Sequence, residues 1–528
     1  MNLGLKRYRV RTEPVFLTML ALLATVPVWL SALPLGTDIP QHAAQINLLL
    51  DHFLTHRWEQ EIYLNYVTPY LLTYFVGALL ALVVGTLTSV KILISLSLAG
   101  LVLASARLLK RHGCEPKLAI FSIFGLYGFS YQWGFLPFNV SAVFMLLLLA
   151  EMQPASSTHR ASLIRCVLLA LAIVLTHGLT AVVTAAIVLT LTLVEPQRFL
   201  RLRNYLLVLV LLMPVVTWQL LADTGVQGFG HGIYFGIHPS LSPYFYYQEL
   251  SSLHPQLING WGRITGFFPR IFGWENGTGA IVTGMMLVLS PFLLGYRVNY
   301  SRKPLLLLAL LLAVLLVMPS VINGSLYSAE RFSLLFFCVF PLLLIPRART
   351  HHLLLPSLLL ASSAMLVVQI NRAHVYDRQI ANLVSALPSM PEGQRALSLS
   401  YSYNAEGFIA PIYLHSGQWY GVLKNGLVDP NFAATDLQPL RYNRQHLPFA
   451  TIGNGFDWSP SPYNWNAFQG ERYAVFIVRG SLAAFNQHTG CHYSSVSQQA
   501  NKEWLALYIP AEVAQRCSRQ LQLQDPHQ

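Results

Sequence analysis

Long apolar runs alternate with short polar stretches through the first 370 residues, and this alternation predicts a bundle of helices that cross a membrane. Most runs approach the roughly 20 residues that an α-helix needs to span the hydrocarbon core. Helices satisfy their own backbone hydrogen bonds in lipid, so they are the expected spanning elements. The apolar runs fall at about residues 15–35, 67–87, 89–108, 118–134, 137–151, 161–176, 179–195, 204–221, 278–296, 304–320, 331–346 and 352–370.

The pattern changes after Asn371. Short strand-like runs follow, RALSLSYS, YAVFIVRG and WLALYIP, and turns rich in Pro, Gly and Asn separate them. We therefore predict two domains. Residues 1–370 form an all-α polytopic membrane bundle, and residues 371–528 form a soluble α/β domain.

The composition is that of a membrane protein. The 528 residues are 54% hydrophobic and only 11% charged, whereas a soluble protein carries about 25% charged residues. The net charge of +12 is spread over short loops between apolar runs, which is the pattern that orients membrane proteins. We predict no nucleic-acid partner, because such a partner would require a basic patch on one face.

Basic residues predict the orientation, because Lys and Arg are enriched in cytoplasmic loops. Every basic cluster falls inside if the N-terminus is cytoplasmic and residues 67–87 lie along the outer face without crossing. This choice predicts eleven spans, long outer loops at 36–88 and 222–276, and an extracytoplasmic C-terminal domain. The basic clusters are Arg107/Lys110/Arg111/Lys117, Arg160/Arg165, Arg198/Arg201/Arg203, Arg297/Arg302/Lys303 and Arg347/Arg349.

The unusual polar residues then lie almost entirely on the outer face. The inner face carries basic turns but no Gly-rich phosphate loop and no Walker pattern. Since ATP is absent outside the cytoplasm, a reaction there requires a substrate that brings its own activation.

The stretch GTDIPQHAAQI follows the first span and holds the strongest candidate residue, Asp38. Asp38 precedes Ile39 and Pro40, so its carboxylate is expected to cap a helix that begins there. The same carboxylate is suited to act as a general base or to bind a divalent cation. His42 lies one turn further and could donate a hydrogen bond to a phosphate. The alternative is a capped interfacial helix with a solvated histidine.

A second candidate group, Glu330 and Arg331, lies at the outer mouth of a span. Charged residues at membrane depth are costly and tend to be functional. A guanidinium pairs two phosphate oxygens at once, so Arg331 suits a lipid-linked phosphate. The alternative is a structural Glu330–Arg331 pair that anchors the helix end.

Further candidates lie in other outer segments. His177 joins two apolar runs beside Gly178, and Asn139 lies near Tyr131, Trp133 and Phe135 in a hairpin that suits either a sugar pocket or an aromatic belt. Arg263 and Arg270 lie in the long loop 222–276 and are secondary phosphate-binding candidates. The histidines of that loop lack the close spacing of a zinc site.

Cys491 and Cys517 lie together in the polar tail, apart from the cysteines of the spans. If the tail is extracytoplasmic, the oxidising compartment permits a disulfide between them. The alternative is two unrelated thiols.

The order of these features resembles the GT-C superfamily of integral-membrane glycosyltransferases. Members carry a catalytic acid in the first outer loop, a juxtamembrane helix before the second span and a long outer loop after the seventh. Many also have a soluble outer C-terminal domain. Loops 36–88 and 222–276 occupy the corresponding places in the eleven-span layout.

The stretch TDIPQHAAQI looks most like an Asp-x-Pro-x-His motif found in uncharacterised bacterial membrane proteins that are themselves GT-C-like. Asn139, His177 and Arg331 match an Asn, a THG-like His and an Arg-Phe pair of those proteins, and the resemblance covers roughly residues 10–370. It implies a multi-pass protein of the bacterial inner membrane, with Asp38 as the catalytic base.

The implied reaction is an inverting transfer from a polyprenyl-phosphate-linked sugar to a glycan, lipid or protein acceptor, in cell-envelope polysaccharide modification among membrane lipids. The implied donor phosphate lies near Arg331 and His42. Many GT-C enzymes carry two acids in the first loop and this chain has one, so no metal ligand is assigned and a bound Mg²⁺ or Mn²⁺ is left open.

Two other classes of function fit parts of the pattern. A secondary transporter usually has charged residues or broken helices near the bilayer midplane, and often an internal repeat. Here the span centres are nearly free of charge. A non-catalytic polysaccharide-assembly protein would use its outer domain for binding alone, so substitution of Asp38 would leave it unaffected.

Overall fold

The computed structural model describes residues 12–153, 159–221, 233–234, 260–322, 325–347, 352–435, 438–443, 460, 473–480 and 503–508. Most of these residues are helical, in agreement with the predicted bundle. Cys491 and Cys517 lie outside the described residues, as does most of the predicted loop 222–276. The described α-helices are Thr12–Leu23, Val26–Leu30, Ile39–Leu54, Leu71–Val84, Thr86–Arg111, Ile123–Leu126, Phe129–Gln132, Leu136–Glu151, His159–Thr176, Gly178–Leu193, Arg198–Leu221, Gly260–Thr265, Phe267–Phe272, Gly277–Leu293, Arg302–Val317, Phe336–Val339, Leu354–Ala386 and Gln418–Lys424.

Four described segments are long and apolar enough to cross a membrane: Glu13–Leu30, Thr86–Arg111, Arg198–Trp218 and Leu354–Ser389. Shorter apolar helices of 10–17 residues accompany them. The chain is therefore a multi-pass membrane protein. The number of eleven spans stays a prediction, because only these four described segments meet the length and hydropathy expected of a membrane span.

Gly85 separates two helices in the region where the apolar pattern predicts runs at 67–87 and 89–108. The first helix is Leu71–Val84 and the second is Thr86–Arg111. Gly85 has φ +78°, which glycine adopts without steric cost, and it turns the chain between them. The position of residues 67–87 along the outer face stays a prediction.

The helix Leu354–Ala386 runs through the predicted domain boundary at residue 370. Its buried positions continue at helical spacing past the boundary, with Ala373, Tyr376, Ile380 and Leu383 all buried. Polar residues lower the mean hydropathy there without interrupting the helix. The membrane bundle and the C-terminal region therefore share one continuous helix.

The C-terminal region contains a sheet whose strands lie in the order Trp504–Tyr508, Val475–Arg479, Arg395–Ser400 and Leu427–Asp429. The first pair is antiparallel and the other two are parallel. The strands predicted from RALSLSYS, YAVFIVRG and WLALYIP are confirmed as elements. The two inner strands are buried along nearly their whole length, and such strands read as continuous apolar runs.

Three smaller sheets join distant parts of the chain. Ile62–Leu64 pairs with Leu440–Tyr442, Tyr296–Val298 pairs with Leu344–Pro346, and Val321–Ile322 lies between Ile233–Tyr234 and Ser325–Leu326. The first of these connects the first outer loop to the C-terminal region.

The helix Ile39–Leu54, here called the outer helix, carries the main polar contact with the C-terminal region. The Gln41 side-chain amide donates to the Pro430 carbonyl at 3.0 Å, and the Gln45 amide donates to Asn431 Oδ1 at 3.0 Å. Both glutamines are buried, so these hydrogen bonds satisfy groups that would otherwise be costly to bury. The C-terminal region therefore lies directly on the outer helix.

The helix Thr86–Arg111 runs from one end of the bundle to the other. At its first residue, the Thr86 hydroxyl donates to Asn47 Oδ1 of the outer helix at 3.0 Å. Its 26 residues extend about 39 Å at 1.5 Å per residue, and its last turns carry Arg107 and Arg111. The outer helix and these arginines lie at opposite ends of one membrane-spanning helix.

Glu151 forms ion pairs with three arginines at the end of the bundle that is distant from the outer helix. It is buried and pairs with Arg107, with Arg111 at 3.3 Å and with Arg165 at 3.0 Å. A buried carboxylate is tolerated when it is fully paired. Members of two predicted cytoplasmic clusters therefore meet at one end of the bundle, as the predicted orientation requires.

We expect Lys110 and Asn404 to be reached from opposite sides of the membrane. Both are exposed, Lys110 in the arginine-bearing end and Asn404 in the C-terminal region. In a Cys491→Ser, Cys517→Ser background, a membrane-impermeant maleimide added to intact cells should label Asn404→Cys and spare Lys110→Cys. Permeabilised cells serve as the control, since both cysteines should then react. Labelling of Lys110→Cys in intact cells would contradict the orientation.

Candidate active site

Two backbone segments meet at Asp38. The Thr37 amide donates to the Gln132 carbonyl at 2.9 Å, and the Asp38 amide donates to the Trp133 carbonyl at 2.9 Å. The first outer loop is thereby joined to the hairpin that precedes the helix Leu136–Glu151. Because main-chain bonds leave little freedom, Asp38 has a defined place at the end of the bundle that carries the outer helix.

Glycines make this contact sterically feasible. Gly134 has φ +75°, and a Cβ at this position would lie 2.8 Å from the Ile39 amide nitrogen and 3.0 Å from that of Asp38. Gly36 has φ +145°, and a Cβ at this position would lie 3.0 Å from the Gly134 Cα. Any side chain at these positions would push the two segments apart.

Asp38 occupies the N-cap position of the outer helix, and the His42 amide donates to its carbonyl at 2.9 Å. The predicted capping by the carboxylate is wrong, since the Asp38 side chain accepts no hydrogen bond from the helix amides. Instead, Oδ1 lies 3.1 Å from Nδ1 of His415 in the C-terminal region. The Asp38 side chain is 14% exposed, so it has a buried hydrogen-bonding partner and is also accessible to solvent.

His42 is held by other side chains. Its Nδ1 lies 2.6 Å from the Tyr74 hydroxyl, which donates to Gln438 Oε1 at 2.8 Å. Burial lowers the pKa of His42 to about 4; the charge of Asp38 opposes this shift and that of Arg331 adds to it. His42 is therefore neutral near pH 7, and its predicted contact with a phosphate stays a prediction.

Arg331 is buried against His177 and an aromatic ring. Its guanidinium donates to the Leu326 carbonyl at 2.8 Å and lies 3.9 Å from the Phe135 ring centroid. Nη1 lies 3.2 Å from His177 Nε2. On the other side of the ring, Nδ1 accepts from the Thr180 amide at 3.2 Å and lies 3.0 Å from the Thr180 hydroxyl, so His177 caps the helix that begins at Gly178.

Arg331 is bonded only to neutral groups. Among the described residues no carboxylate lies within ion-pair distance of its guanidinium, and Tyr70 is a further neutral neighbour. Asp38 and Glu330 act on it electrostatically from further away. A buried guanidinium in such surroundings is suited to an anionic ligand.

Glu330 and Arg331 point apart, which argues against the alternative of a direct structural pair. Glu330 Oε1 accepts from the Ser320 hydroxyl at 2.9 Å, and Arg263 donates to the same hydroxyl at 2.7 Å. Arg270 donates to backbone carbonyls and lies in the electrostatic range of Glu330. Within the described part of the chain, Glu330 Oε2 and Arg270 Nε are buried without a hydrogen-bond partner. Phosphate binding by Arg263 and Arg270 stays a prediction.

The hairpin polar groups have structural partners. Asn139 Oδ1 accepts from the Ser130 hydroxyl at 2.7 Å. The Gln132 amide donates to the Gly273 carbonyl at 2.9 Å, and its Oε1 accepts from the Ile409 amide at 2.9 Å. Gln132 thus joins the hairpin to the C-terminal region, and the role of Asn139 in binding substrate stays a prediction.

A solved structure of another membrane protein resembles this fold. ArnT from Cupriavidus metallidurans bound to undecaprenyl phosphate superposes with a TM-score of 0.50 and 14% identity, over 94% of this chain and 99% of that chain. Its apo structure gives a TM-score of 0.41 and 13% identity, over 95% and 98%. ArnT is a GT-C family glycosyltransferase. The fold of this chain therefore resembles that of ArnT.

This likeness supports the predicted helical membrane fold, whereas the number of spans and the division into domains stay predictions. No protein-family model and no curated protein matches the chain. The specific resemblance to proteins with an Asp-x-Pro-x-His motif stays a prediction, as do the roles of the individual site residues.

The candidate site includes residues that sequence reasoning missed. His415 is the nearest partner of the Asp38 carboxylate, and Tyr70 and Tyr74 contact Arg331 and His42. The two tyrosines are four residues apart, a spacing that puts both on one helix face and could have indicated them. His415 lies far along the chain in YLHSGQW, with no spacing signal.

We expect Gly134→Ala to destabilise the protein more than Gly113→Ala. Gly113 has a similar φ of +72°, but nothing lies within 4 Å of the place that a Cβ would occupy there, so it is a matched control. The left-handed conformation costs an L residue about 1–2 kcal/mol at both positions, and overlap adds about 1–3 kcal/mol at Gly134 alone. Thermal unfolding in nanodiscs measures the difference; equal Tm values would contradict the close contact.

Proposed function

We propose that the chain is a membrane glycosyltransferase that moves a sugar from a polyprenyl-phosphate donor to an acceptor outside the cytoplasm. The GT-C-like fold supports the general class. ArnT bound to undecaprenyl phosphate supports a lipid phosphate as the partner. The acceptor is a glycan, lipid or protein of the cell envelope, and the setting is the bacterial inner membrane with the C-terminal region outside.

The observation that carries the proposal is the buried guanidinium near the candidate base. Arg331 is 9% exposed and bonded to neutral groups. Three guanidinium groups, those of Arg331, Arg263 and Arg270, interact electrostatically with only two carboxylates, those of Asp38 and Glu330. A lipid phosphate would supply the missing negative charge, and a guanidinium fork pairs two of its oxygens.

Asp38 is the general base in this proposal. Its carboxylate takes the proton of an acceptor hydroxyl or amine as that atom attacks the anomeric carbon of the donor sugar. The bond between the anomeric carbon and the phosphate oxygen breaks, and the lipid phosphate leaves with the bonding electrons beside Arg331. The configuration at the anomeric carbon inverts, and the donor supplies its own leaving group, so no nucleotide is required.

The remaining candidates have supporting places in this proposal. His42, Asn139 and His177 border the Asp38–Arg331 region and are proposed to contact substrate. The described residues contain no cluster of three or more His, Cys, Asp or Glu that could hold a metal ion, and a bound Mg²⁺ or Mn²⁺ is left open. No step of the proposed reaction is assigned to a metal.

We expect Asp38→Asn to slow sugar transfer at least about a hundredfold, the scale of lost general base catalysis. The side chain keeps its size and its hydrogen bond to His415, and because no capping bond is present, none is lost. Turnover is measured in nanodiscs with undecaprenyl-phosphoryl hexoses and pentoses as donors and envelope extract as acceptor.

Asp51→Asn is the matched control for this variant. Asp51 lies toward the other end of the outer helix, where its carboxylate accepts from the Trp58 amide at 3.1 Å. Loss of that charge should leave turnover within about threefold of wild type, as is usual for a residue away from the reacting atoms. Near wild-type turnover in Asp38→Asn would rule out Asp38 as the base.

We expect Arg331→Ala to weaken binding of undecaprenyl phosphate about tenfold or more, because a hydrogen bond to a charged group contributes about 1.5–3 kcal/mol. Arg331→Lys keeps the charge without the fork and should fall between wild type and Arg331→Ala. Arg111→Ala, at the opposite end of the bundle, is the control for a lost charge. Equal lipid affinity in all four proteins would contradict a phosphate at Arg331.

A further inference from the structure

The carboxylate of Asp38 is held by a side chain from the C-terminal region. His415 is 7% exposed, and its Nδ1 is 3.1 Å from Asp38 Oδ1. An ionised carboxylate only accepts hydrogen bonds, so Nδ1 carries the proton that it donates to Asp38. The two residues are 377 positions apart in the chain, so this contact forms only when the C-terminal region lies on the outer helix.

An aromatic ring fixes the orientation of the His415 imidazole. The edge of Phe432 meets the His415 ring at a centroid distance of 5.6 Å and an interplanar angle of 79°, and the same ring meets His42 at 5.6 Å. The ionisable groups that act electrostatically on this region are His42, Arg331, Tyr74 and Tyr327. Among the described residues, His415 Nδ1 is the one nitrogen that lies within hydrogen-bond distance of the Asp38 carboxylate.

We propose that His415 is a positioning residue, through which the C-terminal region orients the Asp38 carboxylate for proton abstraction. This inference rests on the proposed function. The hydrogen bond at Oδ1 fixes the rotation of the carboxylate and leaves Oδ2 to face the acceptor. The C-terminal region is thereby a part of the active site as well as an outer domain.

His415 can be replaced without loss of the interface that carries it. Gln41 and Gln45 of the outer helix bind the segment Pro430–Phe432 through three hydrogen bonds of 3.0–3.1 Å. Gln418 binds the same segment through Asn431 at 3.2 Å. None of these bonds includes the His415 side chain, so the C-terminal region should remain docked in His415 variants.

Asparagine and glutamine at position 415 separate orientation from general packing. The asparagine amide reaches the place of Nδ1, whereas the glutamine amide reaches that of Nε2 further from the backbone. We expect His415→Phe and His415→Gln to lower kcat about 10–100-fold with KM within about twofold, the scale of a misplaced catalytic group. His415→Asn should recover kcat to within about fivefold of wild type.

The double variant Asp38→Asn, His415→Phe tests whether His415 acts through Asp38. It should be no slower than Asp38→Asn alone, because the two residues form one unit. Equal loss in the Asn, Gln and Phe variants, or a double variant that is slower by the product of both effects, overturns the positioning role. Tm values within a few degrees of wild type verify that the variants are folded.

The two proposals fail in different ways. Full activity in Asp38→Asn removes the proposed base and with it the reason for positioning. A slow Asp38→Asn together with wild-type kcat in His415→Phe leaves the glycosyltransferase proposal standing and overturns the role of His415 alone.

Discussion

The outer half of the molecule depends on a contact between two backbones that have no side chains between them. At Gly36 and Gly134 the segments approach so closely that a Cβ on Gly36 would lie 3.0 Å from the Gly134 Cα. Only at this separation can the amides of Thr37 and Asp38 reach carbonyls of the hairpin. The contact fixes the start of the outer helix, and the direction of that helix sets where its glutamines meet the C-terminal region.

Local signals in the sequence predicted the elements and the most polar positions of the site. Apolar runs indicated the helices, short β-branched and aromatic runs indicated three strands, and Asp38 before Ile39-Pro40 indicated a helix start, which the structure confirms as the N-cap position. Each depends on residues a few positions apart. The boundary at residue 370 shows the limit, because mean hydropathy fell there while the helical spacing of buried residues continued to Leu383.

Partners that are distant in sequence could not be predicted from such signals. The Asp38 carboxylate was expected to bond the amides of its own helix, but it bonds His415, since a side chain with two possible partners takes the one that folding brings within reach. Glu330 and Arg331 are adjacent in sequence, yet one faces Ser320 and the other faces His177. Adjacent residues on a helix point in different directions, so adjacency alone gave no pairing.

The arginines at the two ends of the bundle differ in what neutralises them, and this difference separates structure from function. At the arginine-rich end Glu151 is surrounded by Arg107, Arg111 and Arg165, so its buried charge is compensated by the protein itself. At the end that carries the outer helix, Arg331 is more deeply buried than any of these three, but its bonded partners are the Leu326 carbonyl and His177. Burial of a charge without a direct ion-pair partner costs several kcal/mol. The proposed lipid-phosphate site rests on this difference, because a bound phosphate would give Arg331 the ion-pair partner that the protein gives to the arginines around Glu151.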